Sequence, residues 1–170
     1  MLIARLEPEN NIEIILDGYL ESGDTRPFLV VGKTSTVYGA KLVAKYADSP
    51  RIRFLGGIYD YAVLSSLRWQ AAIYFHGHSV GGTNPSLVEA MASNAFIAAH
   101  DNPFNRSVLA ANARYFDGAA DVAHIINADH DSDRQAFVAR NLDKVRTVYN
   151  WDVVAREHLH LFDALLAGRR

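Results

Sequence analysis

The sequence contains no cysteine, so neither a disulfide framework nor a thiolate metal site is available to it. It also lacks an excess of one charge. Seventeen lysines and arginines against 19 aspartates and glutamates leave a formal charge of −2, which excludes a basic field of the kind that holds nucleic acid. Nucleic acid is therefore not expected as a partner. No apolar run approaches the roughly 18–20 residues of a membrane span, and no charged-then-apolar signal peptide opens the chain. Internal repeats, low-complexity segments and Pro/Gly/Ser linkers are missing as well. The missing cysteines fit a reducing compartment, and a cytoplasmic location is the expectation.

What is present is an alternation of short apolar runs with amphipathic helices, the pattern of a parallel α/β sheet. Strands are expected at 1–4, 28–31, 51–55, 71–75 and 95–99, with a weaker sixth at 113–116. Helices are expected at 11–22, 38–47, 59–68, 85–93, 119–128, 133–149 and 152–167. In the first helix Ile12, Ile15, Leu16 and Tyr19 share one face. In the third, Val63, Leu64 and Leu67 are expected to point inward. In the last, Val154, His158, Leu161, Phe162 and Leu165 form one stripe. With 170 residues the chain can build one full core. The expectation is a single Rossmann-like, three-layer α/β/α domain over 1–170, with 151–170 a C-terminal helix. A strand at the first residue further suggests a piece of a longer chain.

Ligands of open parallel sheets bind outside the carboxyl ends of the strands. Four loops at that rim carry chemistry: 5–11, 32–37, 56–59 and 76–84. The last belongs to the stretch 76–91, HGHSVGGTNPSLVEAM. There Asn84 suits an N-cap and Pro85 the first helical position. A glycine-rich loop feeding a helix N-terminus favours an anion such as phosphate.

Each conspicuous residue has a plain reading beside the functional one. Gly32-Lys33-Thr34 has the ending of a P-loop, but that motif needs a glycine where Pro27 stands, so the motif is rejected. Lys33 is left as a cation within reach of a ligand. His76 and His78 have the spacing of a metal pair without an evident third ligand. Metal is not predicted, and hydrogen bonding to structure, sugar or phosphate is the alternative. Glu89 lies about 150° from the apolar stripe of its helix, at about 100° per residue. By itself that is a solvated carboxylate; beside a phosphate loop it can accept two hydrogen bonds from a ribose diol. Arg5, ending the first strand, is either a surface arginine paired with Glu7 and Glu9 or a planar fork for phosphate oxygens.

Taken together, residues 4–13 (ARLEPENNIE), 30–32 (VVG), 53–56 (RFLG), 84–91 (NPSLVEAM) and 149–152 (YNWD) resemble the C-terminal domain of GT-B retaining glycosyltransferases of family 4. The wording of 76–91 is similar to a narrower, rhamnosyltransferase-like branch of bacterial polysaccharide assembly. The resemblance implies a domain that binds a nucleoside diphosphate sugar, with an N-terminal acceptor-binding domain in the same parent chain and a glycan or lipid-linked acceptor. It implies a cytoplasmic enzyme, at the inner face of the membrane through its parent, and a fragment inactive alone. Arg5 then matches the arginine on the donor diphosphate, and Glu89 the glutamate on the ribose hydroxyls. Gly82, Thr83 and Asn84 match the diphosphate loop, Gly81 beside them is a further donor-binding candidate, and the base is expected near 54–58, at Gly56 and Ile58.

Two departures stand out. A family carboxylate is expected eight positions before Glu89, where this chain has Gly81, and a family lysine where it has Asn10. Lys33 is the candidate replacement for the cation, and His76 or His78 for the sugar contact. Arg5 and His78 are accordingly the candidate catalytic residues. The mechanism implied is retaining transfer with no metal or other cofactor, positive groups stabilising the departing nucleoside diphosphate. Two rivals share the architecture: half of a sugar-nucleotide epimerase, and a non-catalytic flavodoxin-like binding module, which needs no polar rim.

Overall fold

The structure, a computed structural model, describes residues 1–168. Six strands, β1 (Leu2–Ile3), β2 (Phe28–Val31), β3 (Ile52–Phe54), β4 (Tyr74–His76), β5 (Ile97–His100) and β6 (Arg114–Phe116), pair in parallel in the order 3-2-1-4-5-6. The chain winds outward from β1 to β3, then crosses back to lay β4 beside β1, with Leu2 opposite Phe75. The reversal opens a crevice between the loops that follow β1 and β4, where such sheets bind ligands.

Helices α1 (Ile12–Ser22), α2 (Val37–Lys45) and α6 (Ala119–Asn127) cover one face. Ile12, Ile15, Leu16, Leu42, Val122 and Ile125 there meet Val30, Phe75 and Phe96. Helices α3 (Tyr61–Gln70), α4 (Pro85–Ala92) and α5 (Pro103–Leu109) cover the other. Leu64, Leu67, Leu87, Met91, Val108 and Leu109 pack there against Val31, Tyr74 and Ile97. Helices α7 (Asp131–Thr147) and α8 (Trp151–Ala167) follow. The expected three-layer Rossmann-like domain is therefore present, the sixth strand included. Among the described residues no helix is long and apolar enough to cross a membrane.

Several expectations are corrected. Val63 is 44% exposed; the inward stripe of α3 is instead Leu64, Leu67 and Arg68, one helical face by spacing. That helix starts at Tyr61 because the Asp60 carboxylate accepts the N–H groups of Ala62 and Val63. It also runs on to Gln70, which delays β4 to Tyr74 and places His76 in the strand, in register with Ala99. Helix α5 was not expected, although Asn102 caps it as Asn84 caps α4, with proline next in both. The apolar stripe of α8 exists but is uncovered: Leu161, Phe162 and Leu165 are more than half exposed, and no described residue of α8 is buried.

The α1–α6 contact is unusually close. A Cβ at Gly18 would overlap the Ala119 carbonyl oxygen and lie 2.6 Å from the Val122 Cβ. At a free helical site Gly→Ala stabilises by about 0.5–1 kcal/mol. Here Gly18→Ala is expected to reverse that sign and cost about 1–3 kcal/mol through overpacking, read from urea unfolding midpoints.

Candidate functional site

The rim of the crevice is held by backbone bonds between loops distant in sequence. After β1 the chain makes a 3-10 turn at Pro8–Asn10, and the buried Asn10 side chain turns inward to donate to the Arg5 carbonyl at 2.7 Å. Asn11, in the left-handed region at φ 49°, donates through Nδ2 to the Gly77 carbonyl at 2.9 Å. The Ser79 N–H and Oγ both donate to the Glu9 carbonyl, at 3.1 and 2.8 Å. On the far side Asn102 and Asn105 each donate through Nδ2 to the His78 carbonyl at 3.0 Å. The loop after β4 is thereby fixed from both flanks. Gly77 permits this, since a Cβ there would overlap the Asn10 carbonyl oxygen.

Two adjoining hollows open at this rim. One, of about 530 Å³, is lined by Arg5, Lys33, Thr36, Ile58, Tyr59 and His78 among others. The second, of about 540 Å³, includes Arg5, Glu9, His78, Asn84, Ser86 and Glu89. Arg5, His78 and Ser86 belong to both, so the hollows form one elongated site. A further hollow, of about 380 Å³, lies at the amino ends of the strands between Met1, Phe28 and Ile73. Its walls are chiefly apolar, and the chemistry suggested by the sequence gathers at the opposite end.

Arg5 is exposed, and among the described residues neither it nor Lys33 has an ion-pair partner. Glu7 and Glu9 do not neutralise Arg5, so the rim presents two uncommitted cations. Helix α4 points its N-terminus at the same place. Asn84 caps it, Oδ1 accepting the Ser86 N–H at 3.0 Å, with Pro85 at the first position. That arrangement suits an anionic ligand.

The two histidines divide their roles by depth. His76 is 1% exposed and His78 stacks on it, ring centroids 4.4 Å apart and 13° from parallel. Both ring nitrogens of His76 are buried with no hydrogen-bond partner among the described residues. Burial pushes the His76 pKa well below the ordinary imidazole value, and the neighbouring His78 lowers it further. Burial also lowers His78, helped by Arg5 and opposed by Glu9. His78 alone lines the hollows; His76 is its floor.

The other expected residues separate into two groups. Lys33, Ile58, Asn84 and Glu89 join Arg5 and His78 at the hollows. Gly56 does not: its carbonyl accepts the Gly32 N–H at 2.9 Å, and Gly57, Ile58 and Tyr59 line the wall instead. Gly81, Gly82 and Thr83 form an exposed tip beyond both hollows. Gly81 has φ +105°, a backbone that disfavours any side chain, the missing carboxylate included. Asn10, at the position of the missing lysine, is committed to the Arg5 carbonyl.

One residue was not singled out from the sequence. Arg68 of α3 is 1% exposed and donates from Nη2 to Glu89 Oε2 at 2.6 Å. Nothing in the sequence marks it beyond its place four residues after Leu64. Among the described residues no group of three or more His, Asp or Glu side chains is placed to hold a metal ion.

No family model and no curated protein sequence matches the chain. Solved structures do. Sucrose-phosphate synthase from Thermosynechococcus elongatus superposes at TM-score 0.81 over 98% of this chain and 45% of that one, at 21% identity. The fold is that of a GT-B glycosyltransferase domain. The C-terminal domain of a group 1 family glycosyl transferase from Francisella tularensis matches at TM-score 0.69 and 17% identity, over 88% of this chain and 85% of that domain. Anabaena HepE, solved with UDP and glucose, matches at TM-score 0.72 and 18% identity, over 96% of this chain and 48% of its own. This chain thus spans less than half of the synthase and of HepE. At such identities the likeness is one of fold.

The buried imidazoles couple to stability. Folded His76 resists protonation, whereas an unfolded histidine accepts a proton near pH 6.5. Stability is therefore greatest above that pH and falls as pH drops through it, by up to about 1.4 kcal/mol per pH unit per imidazole. His76→Leu is expected to flatten this decline in urea midpoints taken between about pH 7.5 and 5.5. An unchanged slope would assign the acid sensitivity to other groups.

Proposed function

We propose that this chain is the donor-binding half of a retaining GT-B glycosyltransferase. The observation that carries the reading is the convergence of Arg5, Lys33, His78, Glu89 and the α4 N-terminus on one elongated site at the strand ends. Arg5, Lys33 and the α4 N-terminus suit the diphosphate, and the Glu89 carboxylate suits the ribose diol. Gly57, Ile58 and Tyr59 supply a wall for the base. His78, neutral and partly buried, offers hydrogen bonding to the sugar where the resemblance leads one to expect a carboxylate.

In the transfer the bond from the anomeric carbon to the diphosphate oxygen breaks, and the acceptor hydroxyl oxygen takes its place on the same face. Arg5 and Lys33 stabilise the charge left on the diphosphate, and the hydroxyl proton passes to a base outside this chain. The reading includes a second, acceptor-binding domain of the parent chain and a glycan or lipid-linked acceptor. It places the parent enzyme in the cytoplasm at the inner membrane face, needs no metal, and on the wording of 76–91 takes rhamnose as the sugar. The UDP and glucose seen with HepE make uridine donors the first to test. A polar, open strand-end face is what a ligand-free flavodoxin-like module would lack.

Calorimetry with UDP, ADP, GDP and dTDP and their sugars is the direct test. One diphosphate is expected to bind, and Arg5→Ala to weaken it roughly tenfold or more, the size of a lost charge-assisted hydrogen bond. Glu89→Ala is expected to weaken ribonucleotides by a similar factor. Absence of binding, or variants indistinguishable from wild type, would defeat the reading.

A further inference from the structure

Among the described residues Arg68 is the least explained charge. Its side chain is 1% exposed, between α3 and α4, and its Nε and Nη1 are buried with no hydrogen-bond partner among the described residues. Its one ion pair among the described residues, at 2.6 Å, is with Glu89, whose side chain is 41% exposed at the edge of the site. A guanidinium enclosed this way has lost its water and meets a single carboxylate, so the pair is a poor source of stability. An apolar side chain of similar volume commonly serves a fold as well or better. Packing alone therefore does not account for an arginine here.

Its effect on Glu89 does. A half-exposed glutamate on a helix has free rotamers and sweeps a wide arc. We infer that Arg68 is a positioning residue that locks the Glu89 carboxylate toward the site and so makes the site selective for ribose over deoxyribose. The lock uses Oε2, and the second carboxylate oxygen retains its capacity to accept hydrogen bonds from a sugar. The surroundings hold the helix at this point. Ser93 Oγ donates to the Glu89 carbonyl at 2.7 Å and lies 3.2 Å from Ser65 Oγ on α3. The Arg68 guanidinium also lies 6.0 Å from the ring centre of the buried Tyr74, whose hydroxyl is 3.2 Å from Ser86 Oγ at the site wall. Helix α3, which contributes none of its own residues to the two rim hollows, thereby sets the ribose contact from behind.

The inference rests on the donor-site reading and can fail separately from it. The test compares, on this chain, the affinity for a ribonucleoside diphosphate with that for its 2′-deoxy counterpart, using UDP and 2′-deoxy-UDP and the corresponding adenosine and guanosine pairs. Wild type is expected to prefer the ribonucleotide roughly tenfold. Arg68→Met is expected to lose most of that preference while binding the deoxy compound unchanged, a split that general loosening of the fold does not give. Arg68→Lys, which keeps the charge but not the planar fork, is expected to recover it in part. Glu89→Gln is expected to lose the preference too, and Arg68→Met added to it to change nothing further. Should Arg68→Met not fold, Arg68→Lys and Glu89→Gln carry the comparison. Wild type that binds no diphosphate defeats the donor reading and this inference with it. Wild type that binds without preferring ribose, or an Arg68→Met variant that keeps the preference, defeats the inference and leaves the donor reading standing.

Discussion

The rim depends on the close approach of two backbones, that of Gly77 and that of Asn10. A Cβ at position 77 would occupy the space of the Asn10 carbonyl oxygen. Because there is none, the loop after β4 lies against the turn after β1, and Asn11 and Ser79 close the seam with three hydrogen bonds. Each such bond contributes only about 0.5–1.5 kcal/mol net, and ordering one loop residue costs about 1–2 kcal/mol. The seam holds because burial of Asn10, His76 and Gly77 accompanies it. His78 and Arg5 share a wall as a result.

Across the crevice the charges are laid out unevenly. The cations Arg5 and Lys33 stand at the ends of β1 and β2, while Glu89 stands on α4, tied back to Arg68. A ligand with a diphosphate at one end and a diol at the other has one favourable orientation in that field. Mobile surface pairs would give a weaker bias, since exposed ion pairs contribute about 0–1 kcal/mol and are screened. The Glu89 anchor is different because its partner is enclosed.

Much of this was legible in the sequence, for identifiable reasons. Apolar runs gave the strands, and the face of Ile12, Ile15, Leu16 and Tyr19 gave α1, because a buried sheet and its covering helices leave periods that survive in any context. Asn84-Pro85 announced α4 through local capping chemistry. The failures share a cause. Whether an apolar face is covered depends on partners distant in the chain, so the stripe of α8 was legible and its exposure was not. Arg68 shares a face with Leu64 and Leu67, and an arginine there is indistinguishable from a solvated one until α4 is placed beside it. His76 and Gly77 read as loop because neither favours a strand; register with Ala99 overrides that preference at His76. Gly81 appeared as a lost carboxylate, and its positive φ supplies the local reason.

The stacked imidazoles have a consequence for how the site responds to its surroundings. Histidine ordinarily makes an anion site sensitive to acidity near neutrality, gaining a proton and with it attraction for phosphate. Here burial lowers the proton affinity of both rings. The cationic character of the rim thus rests on Arg5, Lys33 and the α4 N-terminus rather than on an imidazole. An anion at this rim would therefore owe less of its attraction to imidazole protonation than at an ordinary histidine site.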